Sequence, residues 1–210
     1  MKEKPIIIVS TTGLLVGCIL GMSGSIVPYA IFRSLAWAMG SAGLILASTL
    51  LTVYYFRKGC DVVAAGFLIY AIGESVVFSS CGIDLDDNIV SFGAGTFLWA
   101  LSIAVLSLQN IFPLFVRCTG IITAASFALV SILIFTGHPV NALAKPLPFF
   151  AYPFFAATLV GWAWTLLRTR AHSPVEKFGE TGCLSVQEVE HKRTRVSTIN
   201  LANRRFIMGP

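Results

Sequence analysis

The sequence predicts an all-α fold: a compact bundle of six transmembrane helices followed by a polar C-terminal tail. Three observations predict it. Apolar residues make up 56% of the 210-residue chain, charged residues only 12%, and the mean hydropathy is +0.80. Soluble domains carry about 25% charged residues, so this composition excludes a soluble enzyme, a disordered chain and a free nucleic-acid-binding domain. Six apolar stretches are also long enough to cross a bilayer, and only short polar breaks separate them.

The spans follow from the length of each apolar run, since a membrane helix needs about 20 mostly apolar residues. Short breaks make neighbouring helices antiparallel, and every backbone polar group is then bonded within its own helix. We expect residues 1–170 to form the six-span domain and residues 171–210 the tail. The predicted spans are residues 5–31, 34–56, 62–82, 89–109, 112–137 and 147–167, with Arg33 in the first break and Arg57-Lys58-Gly59 in the second.

Basic residues near the helix ends predict the orientation, because cytoplasmic loops carry the excess of Lys and Arg. Both termini should therefore be cytoplasmic in a multi-pass protein of the plasma membrane, which we expect to be a bacterial inner membrane. The opposite side holds only Arg33 and Lys145. The terminal side holds eight basic residues: Lys2, Lys4, Arg57, Lys58, Arg117, Arg168, Arg170 and Lys177.

The tail differs sharply in composition from the spans. From Arg168 onward there are eight basic and four acidic residues, so this segment carries +4 of the net charge of +5. A solvated cytoplasmic tail is the simpler interpretation. The alternative is a segment that binds anionic lipid or a partner protein, since basic residues gain about 1 kcal/mol each near such a surface. We expect no nucleic-acid partner.

Glycines at four-residue spacing mark the first span. Gly13, Gly17 and Gly21 predict a flat helix face against which another helix packs closely. That helix belongs either to the same bundle or to a second copy in a homo-oligomer, and the spacing alone fits both. Glycines in the second and fourth spans offer similar faces: Gly40, Gly43, Gly93 and Gly95.

Glu74 is the one ionisable residue well inside a predicted span. A carboxyl group at membrane depth is costly and faces the bundle interior or a water-filled cavity. Tyr70 lies one turn earlier on the same helix face and is placed to donate a hydrogen bond to it. The functional hypothesis is a carboxyl that couples protons or cations to transport, protonated at rest because an unpaired buried charge is expensive. The alternative is a structural carboxyl bonded to a neighbouring helix.

Metal and cofactor chemistry find little support in the sequence. Asp84, Asp86 and Asp87 in the loop after the third span make a weak candidate for a cation site, but a calcium loop needs 12 residues, a central Gly and a closing Glu. Paired intramembrane histidines, a C-x-x-C pair and a phosphate-binding loop are all absent from the sequence. We therefore predict no cofactor and no structural metal. Four of the five cysteines, those at positions 18, 60, 118 and 183, are expected to be reduced.

Gly21-Met22-Ser23-Gly24 resembles the G-x-S-G pattern of rhomboid intramembrane proteases. In that family the serine pairs with a histidine on another span, and His138 is the only histidine near a span here. The serine stands on the wrong span for that family, so the resemblance carries little weight. No residues are predicted to be catalytic.

Three functional classes stay open after these exclusions. The leading hypothesis is transport of a small solute or ion with Glu74 as the coupling residue. The second is a non-catalytic accessory protein or complex subunit, which docks a membrane partner through its glycine face or basic tail. The third is an enzyme acting on a lipophilic substrate, which ranks last because no catalytic constellation is present.

Overall fold

The computed structural model describes residues 3–80 and 88–171 and confirms the predicted fold class. This part of the chain is all-helical and contains six helices that are long and apolar enough to cross a membrane. A single turn of 3-10 helix, Phe149–Ala151, leads into the last of them. The six helices are α1 (Glu3–Ile26), α2 (Ala30–Arg57), α3 (Asp61–Ser80), α4 (Ile89–Ser107), α5 (Leu114–Phe135) and α6 (Tyr152–Ala171).

The helices form a closed ring in chain order. Each helix packs against the next one in sequence, and α6 returns to pack against α1. Neighbours run antiparallel, so the ring has two ends. We call the end with the α1–α2, α3–α4 and α5–α6 connections the distal end. The terminal end holds the α2–α3 and α4–α5 connections and the ends of the described chain.

The largest differences from the predicted helix boundaries lie beside prolines. Helix α1 ends at Ile26 because Pro28 disfavours helical geometry at the residue before it. Helix α2 then begins at Ala30, so Arg33 lies in its first turn and not in the break between spans. Helix α6 begins at Tyr152, where Pro153 is tolerated because the first-turn N–H groups have no helical partner.

Side chains are distributed as expected for a protein whose solvent is lipid. Large apolar residues such as Ile19, Leu46 and Phe135 face outward. Small hydroxyl residues are buried between helices, where their bonds join neighbours: Ser102 Oγ donates to Gly66 O (2.8 Å) and Thr96 Oγ1 lies 3.0 Å from Ser131 Oγ. Such hydrogen bonds help to hold the helices together, because the hydrophobic effect does not drive helix association within lipid.

Glycines bring α1 and α2 into backbone contact. A Cβ atom built on Gly13 would lie 2.7 Å from Gly43 O, and one on Gly17 would lie 2.9 Å from Gly40 O. Gly21 differs, because a Cβ atom there would meet nothing within 4 Å. Gly13 and Gly17 therefore lie against a helix of the same chain, whereas the side-chain position of Gly21 faces open space.

Aromatic rings fill the centre of the ring of helices. Tyr70 of α3 stacks on Trp99 of α4 with centroids 6.4 Å apart, and its edge meets Trp162 of α6 at 5.8 Å. Trp99 in turn contacts Phe155 and Phe127. We call the connected set the aromatic plug. It consists of Phe67, Tyr70, Trp99, Phe127, Phe155 and Trp162.

The structure corrects the expectation for one cysteine. Cys60, just before α3, forms a disulfide bond, so the prediction that it is reduced is wrong; its partner lies outside the described residues. Cys18 and Cys118 are free thiols, the first buried and the second exposed.

Candidate functional site

A cavity of about 620 Å³, including its open part, lies in the distal half of the bundle. Every helix except α5 contributes to its wall, together with the α5–α6 connection. The lining residues are Gly17, Cys18, Gly21, Met22, Ser25, Trp37, Gly40, Ser41, Leu44, Glu74, Val77, Phe92, Trp99, Ala142, Tyr152, Phe155, Ala156 and Leu159.

Glu74 lies in the wall of this cavity, on the inward face of α3, and only 2% of it is exposed. Gly73, beside it, lets α4 approach closely, since a Cβ atom there would lie 2.9 Å from Leu98 Cβ and 3.3 Å from Gly95 O. The carboxyl group thus stands inside the ring of helices, at the depth where an ionised group is most costly.

Ser41 of α2 holds one oxygen of the carboxyl group. Its Oγ donates a hydrogen bond of 2.6 Å to Glu74 Oε1, and both residues are buried. Ser41 follows Gly40, the glycine at which α1 and α2 meet. The close packing of α1 and α2 therefore helps to fix the hydroxyl that orients the carboxyl group.

The second oxygen, Oε2, is buried and has no hydrogen-bond partner among the described residues. The Tyr70 hydroxyl and the Trp99 indole N–H both lie within reach of a hydrogen bond to the carboxyl group. Neither the Tyr70 hydroxyl nor the Trp99 indole N–H meets hydrogen-bond geometry with any described residue. An unpaired buried polar group costs about 1–3 kcal/mol, so a small shift that lets these two donors bond to Oε2, or a polar group bound in the cavity, would lower the free energy of the site.

The aromatic plug closes the inner side of the cavity. Trp99 and Phe155 belong to both the plug and the cavity wall, with ring centroids 5.0 Å apart. Phe67, Tyr70 and Trp162 lie behind them and are almost completely buried. The carboxyl group is thus next to the cavity on one side and to packed rings on the other.

Hydrogen bonds fix the wall of the cavity on its distal side. Trp37 Nε1 donates to Gly21 O at 3.2 Å, which ties α2 to α1. The Tyr152 hydroxyl donates to Ala142 O at 2.7 Å, which ties α6 to the α5–α6 connection. The missing side chain of Gly21 leaves part of the cavity volume open.

The other candidates from the sequence lie elsewhere. Asp84, Asp86 and Asp87 lie outside the described residues, as does most of the tail. Ser23 is exposed and bonded to Ile19 O within its own helix (2.7 Å), and His138 is exposed beside Thr136. Neither Ser23 nor His138 lines the cavity. Within residues 3–80 and 88–171, no three His, Cys, Asp or Glu side chains come together as a metal site would require.

Sequence reasoning found Glu74 and Tyr70 but missed Ser41 and Trp99. Helical periodicity identifies neighbours on the same helix, whereas these two residues reach the carboxyl from α2 and α4. The sequence feature that could have identified Ser41 as a partner of Glu74 is a polar residue next to a glycine in a neighbouring span, as in Gly40-Ser41. Many serines in the spans satisfy a rule of that kind, so it selects no single residue.

Comparison of the chain with protein-family models, with curated proteins and with solved structures finds no match. The class of protein therefore follows from the fold alone. Six apolar helices are compatible with a multi-pass integral membrane protein.

Proposed function

We propose that this chain transports a small solute or ion and that Glu74 is the group that couples or selects the transported species. One observation carries the proposal: a buried carboxyl group, bonded on one oxygen by Ser41, borders a cavity in the distal half of the bundle. Intramembrane carboxyls are commonly part of ion or proton pathways.

The arrangement supports access from one side at a time. In this conformation the cavity occupies the distal half and the aromatic plug fills the centre. Release toward the terminal end requires the plug to separate. The glycine contacts between α1 and α2 and between α3 and α4 are smooth surfaces along which helix pairs can shift without clashing side chains.

For orientation, we propose that the terminal end is cytoplasmic and that the membrane is a bacterial inner membrane. Lys4, Arg57, Lys58, Arg117 and Arg168 lie toward the terminal end, whereas Arg33 and Lys145 lie toward the distal end. The asymmetry favours a cytoplasmic terminal end, whereas the disulfide bond of Cys60 at the same end is an observation against it, since disulfides are rare in a reducing cytoplasm. The cavity would then face the outside in this conformation.

Two other functions are weaker proposals. An accessory protein could dock through the α1 glycine face, but Gly13 and Gly17 are already packed against α2, which leaves the basic tail as its main surface. An enzyme would need polar groups that converge on a substrate. Around Glu74 the described donors are Ser41, Tyr70 and Trp99, and Ser23 and His138 lie outside the cavity wall.

Proteoliposomes that contain a pH-sensitive dye test the transport proposal. The purified protein is challenged with amines, amino acids, sugars and monovalent metal ions, and solute-dependent proton movement is recorded. We expect Glu74→Gln to abolish a response that the wild type shows. Ser75→Ala is the matched control, because Ser75 bonds only within its own helix, to Ala71 O at 2.8 Å. Equal responses from Glu74→Gln and wild type, or no response from the wild type, would contradict the proposal.

A further inference from the structure

Among the described residues, the wall of the cavity carries one carboxyl group and no basic group. Among the lining residues, Glu74 is the only Asp, Glu, Lys, Arg or His. The titratable groups that share the wall are Cys18 of α1 and Tyr152 of α6, with Tyr70 behind Trp99. The ionised Glu74 side chain favours a positively charged ligand, because a buried carboxylate is stable only when it is paired.

Aromatic rings form much of the remaining wall. Five of the lining side chains are aromatic, and they come from α2, α4 and α6: Trp37, Phe92, Trp99, Tyr152 and Phe155. The face of an aromatic ring attracts a cation, most strongly for Trp, and the attraction grows when water is excluded. Cages of such rings are a common means of binding quaternary ammonium groups.

The basic residues of the distal end do not occupy this wall. The Arg33 guanidinium lies 5.7 Å from the centroid of Trp37, and the Lys145 ammonium lies 4.8 Å from that of Phe149. Arg33 thus takes one face of Trp37, which leaves Trp99, Phe92 and Phe155 as the rings around the carboxyl side of the cavity. Neither Arg33 nor Lys145 is part of the wall.

We infer that the cavity binds a monovalent organic cation with an apolar body, of the amine or quaternary ammonium class, through Glu74 and the surrounding rings. This inference rests on the proposed function and names its substrate class. A hard metal ion fits poorly, since ions such as Ca²⁺ take six to eight oxygen ligands and the wall is mostly apolar. A neutral ligand would not stabilise the charged form of Glu74, and an anion would find no basic group among the lining residues.

Binding of such a cation exchanges it for a proton. Without a cation, the buried carboxyl group is stable as the neutral acid. The bound cation stabilises the carboxylate, so one proton leaves Glu74 for each cation that binds. Affinity for the cation therefore rises as the pH rises, and net proton release accompanies binding.

Tetraphenylphosphonium and tetraphenylborate provide a test, because they share a shape and carry opposite charges. Binding of each to the purified full-length chain is measured by equilibrium dialysis, and protein-free detergent micelles at the same concentration correct for uptake by detergent. We expect tetraphenylphosphonium to bind wild type and Ser75→Ala, with proton release seen in weakly buffered solution. Loss of a buried charge partner costs about 2–5 kcal/mol, so Glu74→Gln should weaken cation binding at least about thirtyfold.

Trp99→Phe and Glu74→Asp supply independent readouts. Trp99→Phe keeps an aromatic ring and should weaken cation binding about two- to fivefold, the range of an ordinary cation–π contact. Glu74→Asp keeps the charge and should retain proton release. Equal wild-type binding of the two tetraphenyl ions, or cation binding unchanged in Glu74→Gln, would overturn the inference.

Failure of this inference can be told apart from failure of the transport proposal. Glu74-dependent cation binding in detergent without any flux in proteoliposomes would preserve the cation site and refute transport. Glu74-dependent flux of another solute, with no preference for the phosphonium ion, would preserve transport and refute the substrate class.

Discussion

Gly13→Ala should destabilise the protein, whereas Gly21→Ala, two turns further along the same helix, should not. At Gly13 the new methyl group would lie 2.7 Å from Gly43 O and 3.0 Å from Ala47 Cβ. Carbon–oxygen contacts of this kind normally lie at about 3.3–3.6 Å, so α1 and α2 must separate by roughly half an ångström. At Gly21 the methyl group would meet nothing within 4 Å.

The cost follows from that separation. Overpacking a tight contact costs about 1–3 kcal/mol, and both variants gain the same helix propensity of about 1 kcal/mol over glycine. The difference in the free energy of unfolding between the two variants therefore measures the cost of the steric clash at Gly13 alone. For a chain of this size, 1 kcal/mol shifts the melting temperature by about 2–4 °C, so Gly13→Ala should melt about 6 °C below Gly21→Ala for a cost of about 2 kcal/mol.

Thermal unfolding of both variants in the same detergent, followed by intrinsic tryptophan fluorescence, measures this difference. Light scattering on the same samples gives the mass of the protein particle, which should be the same in both because Gly13 packs within the chain. Equal melting temperatures would refute the close α1–α2 contact. A change of oligomeric state in Gly13→Ala alone would show that the glycine face is an interface between copies.

Three further predictions concern the cavity, the helix contacts and the orientation. Gly21→Leu should fill part of the cavity and abolish solute-dependent proton movement in proteoliposomes while the protein still migrates as a folded species in size-exclusion chromatography; unimpaired flux would mean that the solute does not use this cavity. Ser102→Ala should lower stability by about 0.6 kcal/mol through loss of the 2.8 Å bond to Gly66 O, and Ser126→Ala, whose hydroxyl bonds only to Ile122 O in its own helix, should cost less; the reverse order in thermal unfolding would refute the inter-helix role. A cytoplasmic C-terminus predicts that a fluorescent protein fused after the last residue is bright in bacterial cells. A periplasmic phosphatase fused at the same position should be inactive, and an active phosphatase would show that the orientation is the reverse.

The fold could be predicted from the sequence because its main determinant is local. Each span is a continuous apolar run, and a chain in lipid must satisfy its backbone within each helix. The errors occur where a proline competes with the apolar pattern, as at Pro28, which moves Arg33 from the first break into α2. The disulfide bond of Cys60 depends on which parts of the chain meet, and hydropathy does not carry that information.

The candidate site could be predicted only in part. Glu74 can be recognised in the sequence because the free-energy cost of an ionisable side chain inside a span depends on that one residue and not on its neighbours in the fold. Its partners depend on the order of helices around the ring, which puts α2 and α4 on either side of α3. Helical periodicity predicts that Phe78, four residues after Glu74, lies on the same face, yet Phe78 is 45% exposed. A position four residues away is rotated by about 40° around the helix, which here is enough to leave the buried face.

The most direct test of the central claim is whether solution reaches the cavity beside Glu74 in the folded protein. Cys18 lines that cavity, is only 9% exposed, and is a free thiol, whereas Cys118 is an exposed free thiol in the same chain. Proteoliposomes with known orientation are treated with a small, charged, membrane-impermeant thiol reagent, and mass spectrometry assigns the modified residues. We predict that Cys18 is modified from the distal side and that a transported solute slows the reaction. A Cys18 that reacts only after the protein is denatured would contradict a solute pathway through this cavity.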